Sequence, residues 1–309
     1  MKMIRRRLEQ YLDLRRTMGF KLTGADSDLN SFLAFMTERG AGAITSALAL
    51  EWATQPAKCA PGRWAERLRN VRHFAEFLSA FDPRTEIPSC DLLPHSATQR
   101  NPPYLFSPAE IEQLLKAAGQ LRSRRGLLGT TYATLFALLS VTGMRVGEAV
   151  ALDLTDLDSG RLLLHVRHAK FGKSRWVPIH PTTRKALLAY KAKRRRLYPH
   201  AGPHFFVSEQ GHRIRTGAVN PVLRKLCGQV GIETGSRRIS VHAFRHCFAI
   251  RTITKWYQED EDAERRLSEL STFLGHNDPS STYWYLSAIP ELLAAVTARL
   301  DRGNRRAFT

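Results

Sequence analysis

The chain has little of what would staple a small fold together. Its four cysteines, Cys59, Cys90, Cys227 and Cys247, lie far apart with no CxxC pair. That excludes a disulfide scaffold and a zinc ribbon, and suits a reducing cytoplasm. There is no long apolar run: the longest uncharged stretch, Gly126 to Met144, is interrupted by Gly129, Thr130, Thr131, Thr134 and Ser140. It predicts a buried helix and not a membrane span. The opening residues are basic, but the YLDLRRTMGF that follows them is no apolar secretory core. Neither an internal repeat nor a low-complexity tract is found. Acidic residues are scarce, with 28 Asp+Glu against 47 Lys+Arg, a net charge of +19. Such an excess repels itself, and a polyanion relieves it. Nucleic acid is the leading candidate partner, with a membrane surface or an acidic protein as alternatives.

The remaining composition is that of an ordinary globular chain: 309 residues, 43% hydrophobic and 24% charged, enough for two domains. The boundary is expected at residues 96–104, SATQRNPPY, where Pro102-Pro103 cannot continue a helix and stiffens a connector. Charge divides at the same place. Residues 1–100 hold 15 Lys+Arg and 11 Asp+Glu, or +4, and the remainder carries +15.

Residues 1–95 read as short helices. Apolar side chains recur at helical spacing in Leu8, Tyr11, Leu12 and Leu14, in Leu29, Phe32, Leu33 and Phe35, in Leu48, Leu50 and Trp52, and in Trp64, Leu68, Val71, Phe74, Phe77 and Leu78. Arginines, among them Arg67 and Arg72, decorate the first and last of these groups. A solvated face and a phosphate-facing face explain them equally well. Residues 105–309 read as mixed. Ser107-Pro108-Ala109-Glu110 predicts an N-cap and an acidic first turn, opening a helix through Leu115. A buried helix is expected over 126–141 and a β-hairpin over 160–180, then helices near 182–196, 217–229, 241–254, 264–273 and 290–300.

Four local patterns could carry chemistry. Thr142-Gly143-Met144-Arg145-Val146-Gly147-Glu148-Ala149 places an arginine just past a glycine-stopped helix. His168-Ala169-Lys170-Phe171-Gly172-Lys173-Ser174-Arg175 is a basic hairpin turn, of the kind that touches phosphates. Val241-His242-Ala243-Phe244-Arg245-His246 sets His242 and Arg245 three apart on one helix face, a titrating group beside a permanent charge. His242 and His246 also have metal-ligand spacing. Against zinc, Arg245 would set a fixed positive charge beside the cation, no HExxH glutamate is present, and no third ligand follows, so no metal is expected. The fourth pattern is Leu274-Gly275-His276-Asn277-Asp278-Pro279-Ser280-Ser281-Thr282-Tyr283-Trp284-Tyr285, a helix end, a polar turn and an aromatic cluster. Core packing is the commoner role of such aromatics.

In this order, Arg, hairpin Lys, HxxR, LGH and a Tyr nine residues later, the set resembles the tyrosine recombinase (phage integrase) family, most of all its transposon-borne and integron-like bacterial members. The resemblance covers 105–309 and extends to 1–95. It implies a mainly α fold with a small β-sheet: an N-terminal helical core-binding (SAM-like) domain and a C-terminal α+β catalytic domain. It further implies a site-specific recombinase or transposase that acts in the bacterial cytoplasm, at the nucleoid, on double-stranded DNA. Such an enzyme works as a synaptic homotetramer, or with sister recombinases, through a 3′-phosphotyrosine intermediate and with no cofactor. Residue by residue, Arg145 and Arg245 match the catalytic arginines, Lys170 the hairpin lysine, His242 the HxxR histidine, His276 the LGH histidine and Tyr285 the nucleophile. Tyr283 and Lys173 are nearby rivals to Tyr285 and Lys170, although spacing favours Tyr285. Lys173, Arg175, Arg213, Arg215, Arg237 and Arg238, with Arg67 and Arg72, are the expected DNA-backbone contacts. A type IB topoisomerase-like relaxase shares most of this catalytic set, and a non-catalytic DNA-binding descendant is the third alternative.

Overall fold

Four helices build the first of two units, Met1–Asn101, among the residues described by the computed structural model: 1–20, 22–57, 59, 61–93, 103–167, 174–232, 239–259 and 263–275. They are α1 (Lys2–Thr17), α2 (Thr23–Glu38), α3 (Ser46–Thr54) and α4 (Pro61–Ser79). The predicted stripe of α2 is buried throughout and most of those of α1 and α4 are, with Trp64 and Phe77 half-buried; in α3 Trp52 is buried with Ala49 and Ala53, while the expected Leu48 and Leu50 are only half-buried. Ile4, Leu8, Tyr11 and Leu12 meet Phe32, Met36, Trp52, Val71, Phe74 and Leu78 in one core. Leu14 departs from expectation. It is 50% exposed, because it falls off the stripe set by Ile4, Leu8 and Tyr11. Thr45 caps α3 by accepting from the Leu48 amide at 3.2 Å. The buried Asp28 carboxylate is held by Arg63 and, at 2.9 Å, by Asn70 of α4, so its charge is paired on burial.

The second unit, Pro102–Thr309, is mixed. Its helices are α5 (Pro108–Gly119), α6 (Leu128–Thr142), α7 (Val146–Ala151), α8 (Pro181–Leu197), α9 (Thr216–Gln229), α10 (His242–Gln258) and α11 (Ala263–Leu274). Ser107 opens α5 with a complete capping box. Its hydroxyl accepts from the Glu110 amide at 3.2 Å, and Glu110 accepts from the Ser107 amide at 2.7 Å. Strands β1 (Leu157–Asp158), β2 (Leu163–Val166) and β3 (Arg175–Pro178) form an antiparallel sheet in that order. The register pairs Leu164 with Val177 and Val166 with Arg175. Leu164, Val166 and Val177 therefore face the core, while His165 stacks on Trp176 on the other face at 4.4 Å.

The core fixes where α10 lies. Phe244 stacks on Phe106 at 5.0 Å and on Phe136 of α6 at 5.6 Å. The Cys247 sulfur accepts from the Phe106 amide at 3.1 Å. These contacts set the next residue along, Arg245, against the end of α6. The expected buried helix starts at Leu128 and not at 126, since Gly126 turns the chain with φ 71°. The mainly helical architecture with one small sheet is as the sequence predicts, whereas α7 and β1 are additions. The connector 96–104 falls mostly, and the helix 290–300 wholly, outside the described residues. No helix among the described residues is long and apolar enough to cross a membrane.

Candidate active site

Three guanidiniums meet at the end of α11. The last carbonyls of a helix lack intrahelical partners and carry the negative end of its dipole. Here three in succession each accept from a different arginine. Phe273 takes Nε of Arg175 at 2.9 Å, Leu274 takes Arg245 at 2.9 Å, and Gly275 takes Arg145 at 2.8 Å. The arginines come from β3, from α10 and from the residue just before α7, so distant stretches of chain converge on one point.

Each arginine is fixed by its local backbone. Gly143 ends α6 in the left-handed region, φ 60°, and its carbonyl accepts from Arg245 at 2.8 Å. Arg145 then leaves in an extended conformation as the N-cap of α7. Glu148, in the first turn of α7, accepts from the Arg145 amide at 3.1 Å and from its guanidinium at 2.9 Å. The same carboxylate takes both ends of the Arg175 fork, at 3.0 and 2.8 Å. Burial pushes the Glu148 carboxyl up, but the hydrogen bonds and charge of Arg175, then of Arg145, outweigh it and hold the group below the usual carboxylate range. Among the described residues the cluster thus has three positive charges and one negative. Arg245 is 1% exposed, while the Arg145 side chain keeps 29% of its surface open. Arg145 is the member a ligand can reach, and the excess charge favours an anion.

His242 shares a helix face with Arg245 one turn on, and its ring meets that of His246 edge-on at 4.5 Å. Desolvation first, then the charges of Arg245 and Arg145, push its pKa down to about 4. Its surface is open to solvent, which weakens the desolvation part. The two guanidiniums act in the same direction. At neutral pH the imidazole is uncharged and can accept a proton. A group whose folded pKa lies below its unfolded value opposes folding as it protonates. Between about pH 6.5 and 4 the unfolded chain binds the extra proton, so stability falls as pH falls through that window. His242→Asn is expected to show a smaller drop in melting temperature between pH 7 and pH 5 than the parent chain. An identical drop would show that His242 does not titrate this way.

The site also depends on two glycines. A Cβ on Gly143 would stand 2.6 Å from the Phe248 ring and 2.9 Å from Leu274, and one on Gly275, φ 68°, would stand 3.0 Å from the Arg175 guanidinium. Gly143→Ala is expected to destabilise by about 1–3 kcal/mol through backbone strain, with the ring clash in addition. At about 2–4 °C per kcal/mol for a domain of this size, calorimetry reads this directly.

Of the residues expected from sequence, the structure brings together Arg145, Arg245 and His242. Lys170, Lys173, Arg237, Arg238, His276, Tyr283 and Tyr285 lie outside the described residues. Several expected DNA contacts are engaged internally. Arg175 is committed to Glu148 and Phe273. Arg67 lies over the Trp52 ring at 3.7 Å and donates to the Trp52 carbonyl at 2.8 Å. Arg72 pairs with Glu76, and Arg213 holds Asp153 at 2.7 Å and the Val150 carbonyl at 3.0 Å. Arg215 stands exposed before α9. In the basic run of α8, Lys191 reaches the Leu154 carbonyl, Lys193 reaches Thr130, and Arg194 is buried on the carbonyls of Ala201 and Gly202. Glu148 was missed by sequence reasoning. Its one signal is the capping-type spacing of three from Arg145.

A model of the phage integrase family matches residues 105–291. The chain is 40% identical over 309 residues to y4rB of Sinorhizobium fredii, which carries the name integrase/recombinase, covering 98% of each chain. It is 28% identical over 275 residues to the tyrosine recombinase XerD of Caulobacter vibrioides, covering 88% of this chain and 80% of that one. Its fold is similar to that of the Tn1549 transposon integrase solved with transposon right end DNA. The TM-score is 0.66 at 14% identity, covering 96% of this chain and 98% of the other.

Proposed function

This chain belongs to the phage integrase family of tyrosine recombinases, and on that premise we propose that it cleaves and rejoins DNA by metal-free transesterification at the site around Arg145 and Arg245. The observation that carries the reading is the convergence of three guanidiniums and one carboxylate beside an uncharged imidazole. A phosphodiester carries one negative charge and gains more as phosphorus becomes pentacoordinate. Arg145 and Arg245 stay charged at any working pH: Arg145, the one a ligand can reach, offers donors to the non-bridging oxygens, and Arg245, with both terminal nitrogens on the Gly143 and Leu274 carbonyls, adds a fixed positive charge behind it. No metal is needed for that stabilisation.

In this reading the Tyr285 oxygen attacks phosphorus. A phenol of pKa near 10 must lose its proton, and His242 receives it. The bond from phosphorus to the 5′ oxygen breaks as the Oη–P bond forms, and Lys170 protonates the departing oxygen. His276 hydrogen-bonds a phosphate oxygen. The resulting 3′-phosphotyrosine stores the bond energy, and a 5′ hydroxyl from another strand reverses the steps, so no nucleotide is hydrolysed. Residues 1–95 serve as the core-binding domain and 105–309 as the catalytic domain. Recombination of mobile DNA by a tetramer in the bacterial cytoplasm completes the proposal.

The test is a nicked duplex, selected by the protein from random sequences, in which the short downstream fragment bearing the freed 5′ hydroxyl diffuses away after cleavage. A covalent protein–DNA band, with the linkage mapped by mass spectrometry to Tyr285, is the expected result. Binding with no adduct on any nicked position would overturn the enzymatic reading. Relaxation of supercoiled plasmids at any sequence would favour a relaxase instead.

A further inference from the structure

Arg175 sits in the second strand of a basic hairpin, where sequence suggests a hand held out to DNA. Its side chain is instead 15% exposed and turned inward. The contacts it makes there are unusually complete. A carboxylate offers about four lone-pair positions, and among the described residues Glu148 has four donors: the Arg145 amide, the Arg145 guanidinium, and two nitrogens of Arg175. Arg145 therefore bonds Glu148 through one guanidinium nitrogen only, leaving its other end to Gly275 and to the open side of the site. Without Arg175, both Glu148 oxygens would regain a vacant position within reach of Arg145. The favoured outcome for an isolated arginine–carboxylate pair is the two-point fork. Arg145 would rotate into that fork and turn its donors away from any anion in the site.

We propose that Arg175 is a positioning residue that occupies Glu148 and so keeps Arg145 directed at the reacting phosphate. This rests on the transesterification reading above. Arg175 also ties β3 to the Phe273 carbonyl, so the hairpin strand and the end of α11 are held by the same side chain.

The experiment compares first-turnover adduct formation on the selected nicked duplex, DNA affinity by gel shift, and thermal melting for a set of variants. Arg175→Ala is expected to slow adduct formation on the order of 10²-fold, the scale of losing one transition-state donor, with DNA affinity changed by less than about 3-fold, because phosphate contacts elsewhere dominate it. Adding Glu148→Gln removes the competing charge and is expected to recover about 10-fold or more of the lost rate. A purely structural role for Arg175 predicts the opposite, a double variant as slow as or slower than the single one. That result, or an Arg175→Ala protein as fast as the parent, would overturn the inference. Should Arg175→Ala melt below the assay temperature, Arg175→Lys takes its place. Lysine keeps the charge but cannot cover both carboxylate oxygens, so the same slowing and the same rescue are expected. If the parent chain itself forms no adduct, the transesterification reading fails and this inference falls with it. If the parent reacts and the rescue is absent, only the inference falls.

Discussion

Tyr285→Phe is expected to reduce the covalent adduct to background while leaving DNA binding within about 2-fold, since backbone phosphate contacts dominate affinity. The substitution removes one oxygen. With it goes the only atom in this scheme able to form the phosphotyrosine bond, so the effect is a loss and not a slowing. Two residues upstream, Tyr283→Phe is expected to retain the adduct. An adduct that survives Tyr285→Phe and disappears with Tyr283→Phe would exchange the two assignments and leave the reaction class intact. Both proteins are to be compared on the same nicked duplex, with the gel shift confirming that each still binds.

Arg245→Ala is the second large effect, and it acts on two quantities at once. The guanidinium, itself 1% exposed, satisfies the carbonyls of Gly143 and Leu274. Truncation leaves two buried acceptors without a donor, at about 1–3 kcal/mol each. It also removes the fixed positive charge beside Arg145, for a rate loss up to the order of 10²–10³. Arg245→Lys separates the two. An ammonium keeps the charge but is a point donor, and it cannot reach both carbonyls with the planar geometry of the parent fork. The lysine variant is expected to recover part of the rate and little of the melting temperature. A lysine variant with full stability and no activity would assign Arg245 to chemistry alone.

Much of this molecule can be read without coordinates, for identifiable reasons. Helical spacing of Phe32, Trp52, Val71 and Phe74 predicts the first core, because a buried stripe leaves a 3.6-residue trace. The alternation Leu164-His165-Val166 facing Trp176-Val177 predicts the sheet for the equivalent reason at period two. The short α7 and two-residue β1 leave no such trace, as neither is long enough to show a period. In the site, Arg145, His242 and Arg245 stand out by residue type and order. The acceptors that gather the arginines do not, because the carbonyls of Gly143, Phe273, Leu274 and Gly275 exist at every position of every chain. For the same reason inward and outward arginines look alike. Arg67, Arg175 and Arg194 have the sequence character of surface charges, yet each ends on a backbone oxygen inside the protein.

The end of α11 carries a consequence for how this chain can vary. Three consecutive peptide units there receive side chains from three separate elements, and a helix turns by about 100° per residue. One residue gained or lost within α11 would swing all three oxygens round together, out of reach of every arginine that now meets them. The length of this helix is therefore under a stricter constraint than its composition. Its solvent-facing side chains are open to replacement, while its residue count is not.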